Sequence, residues 1–92
     1  MRRVTWSRSE RRDLGQIAAY YRQFDPKLPQ TLVLRIESAP RPLLDNAEIG
    51  SPIRRARVRK WPVRRTPFIL LYTVIADEVR IQRVVDARSA WA

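Results

Sequence analysis

The sequence predicts an α+β fold: a helical hairpin packed on one face of a small antiparallel sheet, in the order β-α-α-β-β-β. Three observations carry this. Two consecutive segments in the first half place their apolar residues at helical spacing. The second half alternates, or runs apolar, in strand-length stretches separated by turn residues. The 92 residues allow one domain with one modest core, so residues 1–92 are expected to fold as a unit.

Val4 to Trp6 is short and β-prone and reads as an edge-type strand. Ser7 followed by Glu10 has capping-box spacing, which starts a helix whose Leu14, Ile17, Ala18, Tyr21 and Phe24 fall on one face. Gly15 weakens this helix by ~1 kcal/mol relative to alanine without ending it. Tyr20, Tyr21 and Phe24 are expected to fill the helix–sheet contact. In FDPKLPQ, Asp25 can cap and Pro26 suits a first helical turn. A second helix follows on Leu28, Leu32, Ile36, Ala39 and Leu43. Pro40 and Pro42 each remove a backbone donor, so it ends or kinks near Ser38. LLDNAEIGSP is an exit turn and loop.

Ile53 to Val63 alternates loosely as a strand, with Ala56 and Val58 on one side and Arg55, Arg57 and Arg59 on the other. Pro62 marks an edge or a bulge. Phe68 to Ile75 is apolar on both faces, as in a central strand. After a short turn at Asp77-Glu78, Val79 to Val85 sets Arg80, Gln82 and Val84 against Val79, Ile81, Arg83 and Val85. Tight turns between consecutive strands imply an antiparallel meander. In the tail, Trp91 is the one anchor candidate.

Charge is the strongest compositional signal: 19 Lys and Arg against 9 Asp and Glu, a formal +10. All but Lys27 and Lys60 of the basic residues are arginine, whose planar fork suits phosphate and carboxylate and keeps its charge when partly desolvated. The helical hairpin is near neutral. The excess lies at the start of the chain and in IRRARVRKWPVRRTPF, which has no acid. Alternate residues on a strand stand ~7 Å apart, so Arg55, Arg57 and Arg59 would line the side left bare by the helices. Arg83 on the last strand would join them, and Trp61 could stack on a base or face the core or a partner. The balance favours an anionic partner: nucleic acid, an anionic membrane surface or an acidic protein.

With no cysteine and no histidine, a disulfide scaffold, a Cys/His metal site and the usual nucleophile–base pairs are excluded. No carboxylate pair has a recognisable motif, and no cofactor is implied. RNA cleavage through Arg and Lys with a weak Tyr or Asp acid–base remains chemically open, so the residues alone leave enzyme and binding module side by side. No apolar run reaches a membrane span and the start lacks a secretory core, which gives a soluble cytoplasmic protein as the expectation.

The ordered set VTWSRSERRDLGQIAAYYRQFDP, LLDNAEIGSPIR, VRKWPVRRTPFILLYTV and VRIQRVVDARSAW resembles the RelE/ParE superfamily of toxins from type II toxin–antitoxin modules, more closely its ParE branch. The resemblance spans nearly the whole chain. Trp6, Leu14, Ile17 and Tyr21 match family-like positions, and Ala47 stands where proline is common. The resemblance implies a bacterial growth-inhibiting toxin, neutralised by a cognate antitoxin in a hetero-oligomer. ParE-type members poison DNA gyrase; RelE-type members cut mRNA on the ribosome with basic residues plus a C-terminal Tyr or His. Here Asp86 stands where many relatives have histidine, and the tail ARSAWA has neither Tyr nor His, which favours the ParE reading. Arg55, Arg57, Arg59, Trp61, Arg65, Arg83 and Arg88 are the expected target-contacting residues in either case.

Overall fold

Strand β1 (Arg3–Trp6) ends at Ser7, which begins helix α1 (Arg8–Arg22). The Ser7 Oγ accepts the Glu10 amide at 3.0 Å and donates to the Gln82 carbonyl at 2.7 Å. The capping box is half formed. The Ser7 amide is already taken by the Ile81 carbonyl at 3.0 Å, so the Glu10 carboxylate has no donor to return to and turns into the fold. This computed structural model describes residues 2–55 and 57–89; Trp91 lies outside them.

Helix α1 packs on α2 (Leu28–Ser38) and on strand β5 (Glu78–Asp86). Leu14, Ile17 and Tyr21 meet the core as their spacing predicts. Tyr20 and Phe24 do not: they are 55% and 67% exposed, because α1 ends at Arg22 and Tyr20 lies off the inward stripe. Helix α2 stops at Ser38, before Pro40, and the chain re-forms one turn as α3 (Arg41–Asp45), with Leu32, Ile36 and Leu43 buried. Asp25 accepts the Lys27 amide two residues on, making a turn before α2 rather than capping the helix directly.

The five strands lie in the order β1-β5-β4-β3-β2, where β2 is Ser51–Pro52, β3 is Arg59–Pro62 and β4 is Phe68–Ile75. The run β2 to β5 is the antiparallel meander. Strand β1 pairs β5 in parallel, since the chain leaves through the helical layer before re-entering the sheet at its far edge. The strand expected from Ile53 to Val63 is shorter. Residues 53–55 and 57–58 are loop and turn, with Arg57 at φ 61°, and pairing with β4 begins only at Arg59; Ala56 lies outside the described residues.

Register decides which side each residue takes. Arg59 pairs Tyr72 and Trp61 pairs Leu70, on the helix-covered side; Lys60 pairs Leu71, which pairs Arg83, on the opposite side. Between Arg83 and Ile81 the β5 strand holds Gln82 as an extra residue opposite Leu71/Tyr72. This bulge resets the alternation. Val84 joins Val79 and Ile81 in the core, instead of facing away with Arg80, as strict period-two reading required.

The loop between α3 and β2 is fixed by Tyr72. Its ring is fully buried, and its hydroxyl donates to the Ala47 carbonyl at 2.7 Å and accepts the Gly50 amide at 3.0 Å. Burial pushes the phenol pKa up, which keeps the donor protonated. A methyl group at Gly50 would press on the Tyr72 hydroxyl and lie 2.8 Å from the Lys60 carbonyl. Gly50→Ala should therefore destabilise the fold by ~1–3 kcal/mol, seen as a lower urea midpoint at unchanged slope.

Glu10 is 1% exposed, and its Oε2 has no hydrogen-bond partner. Burial first, then the nearby Asp13 and Glu37 carboxylates, raise its pKa from 4.5 to about 7, with Arg11 opposing. A carboxyl raised on folding contributes most below its unfolded pKa, and that contribution is lost as pH rises through about 7. Glu10→Gln should leave stability near pH 4 almost unchanged and raise it by ~2–3 kcal/mol near pH 8. Urea midpoints across this pH range check it; parallel profiles for the two proteins would contradict it.

Candidate functional site

Where β1 stops at Trp6, β5 continues, and its outer edge needs other partners. Helix α1 supplies them. Asp13, 8% exposed, accepts the Val84 amide at 2.9 Å and grips the Arg83 guanidinium through Nε at 2.7 Å and a terminal nitrogen at 3.0 Å. The pairing raises the Arg83 pKa further above its ordinary range. One carboxylate thus satisfies a strand edge and holds a cation.

Beyond this anchor a cleft of about 640 Å³ opens between the C-terminal half of α1 and the end of β4 and β5. Tyr20 and Tyr21 form one wall, and Phe68, in edge-to-face contact with Tyr21 at 6.0 Å, contributes to the lining. Arg55, Arg83 and Arg88 converge on it with Leu71, Val85 and Asp86. Asp86 binds Arg88 in a fork, at 3.0 Å to Nε and 2.7 Å to a terminal nitrogen, and also accepts the Arg88 amide at 2.8 Å. These bonds hold the Asp86 carboxyl at about 2. They raise the Arg88 pKa, with the Tyr21 hydroxyl adding to the effect.

The seven residues expected to make one surface are divided. Arg55, Arg83 and Arg88 share the cleft. Arg57 is exposed on the turn before β3. Arg59 points to the helix-covered side and donates to the carbonyls of Glu48 at 2.9 Å and Gly50 at 2.7 Å, so it braces a loop. Trp61 is half-buried against the core, its indole N–H donating to the Ala39 carbonyl at 2.8 Å. With Arg65 it lines a second groove, between α2–α3 and β3. The bare arginine row on one strand does not form, because Arg55 and Arg57 are not in a strand and β3 turns Arg59 inward. Sequence reasoning also missed Asp13, Tyr20, Arg35 and Arg64. Asp13 carried a readable signal: it lies three residues after Glu10 and one before Leu14, at the edge of the inward stripe, where an acid needs a partner.

Among the described residues no group of Asp and Glu is placed to hold a metal ion, and no helix is long and apolar enough to cross a membrane.

With this geometry in view, known proteins resemble the chain along nearly its full length. The chromosomal ParDE toxin–antitoxin system of P. aeruginosa contains a chain with TM-score 0.84 and 27% identity, covering 94% of this chain and 96% of that one. The Y4kP protein of Sinorhizobium fredii is 30% identical over 90 residues, 98% of this chain and 93% of its own. A chain of the E. coli DinJ–YafQ complex has TM-score 0.57 at 15% identity, with full coverage of both, a likeness of fold alone. The family model described as "ParE toxin of type II toxin-antitoxin system, parDE" matches residues 4–91. The chain belongs to that family of toxins, within the wider RelE/ParE superfamily.

Proposed function

We propose that the chain arrests bacterial growth as ParE-type toxins do, by poisoning DNA gyrase through protein–protein contact, and is held inactive by a cognate antitoxin. One observation carries the preference over mRNA cleavage. Of the cleft's three arginines, two, Arg83 and Arg88, are each clasped by an internal carboxylate, Asp13 and Asp86. A nuclease needs unneutralised cations where the phosphorane forms and an acid–base group whose pKa lies near the operating pH. Asp86, held at about 2, is a poor base at neutral pH, and its charge repels phosphate. The chain has no histidine to replace it.

A protein target places less demand on such chemistry. Tyr20, exposed beside Arg55 and Arg88, gives the mixture of aromatic area and arginine that protein interfaces favour. We assign target contact to Arg55, Arg57 and Arg88, and scaffolding to Arg59 and Arg83. The antitoxin's partner surface is supported by the +10 charge, which favours an acidic segment.

Purified toxin incubated with gyrase should inhibit supercoiling and accumulate gyrase–DNA cleavage complexes, leaving mRNA on ribosomes intact. Codon-phased mRNA cuts with unaffected gyrase would overturn this reading in favour of a RelE-like endonuclease. Arg55→Ala and Arg57→Ala should weaken growth inhibition at unchanged thermal stability. Arg59→Ala should lower stability itself, by ~1–3 kcal/mol, since it frees two carbonyls from a charged donor.

A further inference from the structure

We propose that Tyr21 and Asp86 are positioning residues for target recognition: they hold the Arg88 guanidinium in one direction before the target arrives. This inference rests on the assignment of Arg88 to target contact. Strand β5 ends at Asp86, and the chain turns there at once. The Asp86 carbonyl accepts the Ser89 amide at 3.0 Å and the Ser89 hydroxyl at 2.8 Å. The Ala87 amide donates to the Pro67 carbonyl at 2.8 Å, which ties the turn to the residue before β4. Asp86 Oδ1 accepts the Arg88 amide at 2.8 Å and its Nε at 3.0 Å, while Oδ2 accepts a terminal nitrogen at 2.7 Å. One carboxylate thereby fixes both the backbone and the side chain of Arg88.

Tyr21 acts from the α1 side of the cleft. Its ring is held by three others: edge-to-face with Tyr20 at 5.1 Å and with Phe68 at 6.0 Å, and tilted against Phe24 at 6.4 Å. After Asp86, its hydroxyl adds to the rise in the Arg88 pKa. Helix α1 and the end of β5 thus converge on one cation. The Arg88 side chain nevertheless stays 70% exposed, so its guanidinium remains open to a partner. An exposed pair of this kind contributes little to folding. What it supplies is direction, because a guanidinium already ordered loses less rotamer freedom on docking than a free one. Arg55 lines the same cleft without an ion pair among the described residues and has no such restraint from a carboxylate.

The test compares Asp86→Asn, Tyr21→Phe and Arg88→Ala, in titrated expression in bacteria and by NMR of the nitrogen-labelled whole chain. Asp86→Asn keeps an acceptor for the Arg88 amide and loses the charged fork; Tyr21→Phe keeps the ring and loses the hydroxyl. Each should need about two- to tenfold more toxin for the same growth arrest, at unchanged melting temperature. In the Arg88→Ala background neither change should add a further loss. The Arg88 Nε–H signal should be protected from exchange in the parent chain and lost to water in both variants, a readout independent of the target. These results together uphold the proposal. Removing Asp86 also makes the cleft more positive, so a target attracted by charge alone would be arrested at lower doses. Unchanged or stronger arrest by Asp86→Asn and Tyr21→Phe, with Arg88→Ala weakened, overturns the positioning role alone. So does an equal loss with and without Arg88, or an Nε–H signal that neither variant alters. Full arrest by Arg88→Ala removes Arg88 from target contact, and the positioning role falls with it.

Discussion

The Asp13 carboxylate holds the molecule's two layers in register. A sheet edge left unpaired in the interior must find donors and acceptors elsewhere, and β5 outruns β1 by several residues. Ser7 takes the Gln82 carbonyl and Asp13 takes the Val84 amide, so α1 completes the ladder with side chains where β1 can no longer do so with backbone. The same carboxylate then closes on Arg83. Removing it would strip a partner from a buried amide and from a guanidinium together, which is why helix position, strand edge and cleft floor are not separable features here.

The arginines meet three fates, and their sum explains how a chain of +10 stays folded. Some are paired internally: Arg83 with Asp13, Arg88 with Asp86, and Arg80 and Arg3 sharing Glu78. Arg59 is spent on carbonyls, where a charged donor stiffens the loop that Tyr72 also holds. The remainder, among them Arg35, Arg64 and Arg65 in the groove and Arg54, Arg55 and Arg57 in the loop before β3, make no ion pair among the described residues. Their mutual repulsion opposes compaction in the isolated chain, and an acidic partner relieves it.

Both long helices were legible because their apolar period is set by burial on a single face, as Leu14, Ile17, Leu32 and Ile36 show. The stop at Ser38 was legible for a local reason, the prolines that follow. The strands were harder. In 53–58, arginines alternate with small apolar residues as they would on a strand, yet the backbone turns through a left-handed Arg57 that no glycine announces. The bulge at Gln82 leaves no compositional trace, and it inverts the side taken by Arg83 and Val84. A one-residue irregularity in a period-two pattern is invisible to the pattern and decisive for the site. Capping likewise read correctly for Ser7 and incorrectly for Glu10, because the competing acceptor, Ile81, lies on a strand more than seventy residues away.

These differences change what the fold can do with its cleft. A cleft of this shape with free cations and a group that titrates near neutrality would favour phosphate transfer. The same shape with Arg83 and Arg88 matched to carboxylates, and Arg55 alone of its three arginines without an ion pair, has a weaker field of its own, and what it presents is the Tyr20 and Tyr21 wall with two guanidinium planes held in direction. Fixed, neutralised arginines lose little side-chain entropy on docking and attract a polyanion weakly. The arginines around the other groove have no carboxylate partner among the described residues and keep their positive field. One small scaffold therefore carries two arginine-lined concavities of different character: a cleft whose Arg83 and Arg88 are held by carboxylates, and a groove whose Arg35, Arg64 and Arg65 make no ion pair among the described residues.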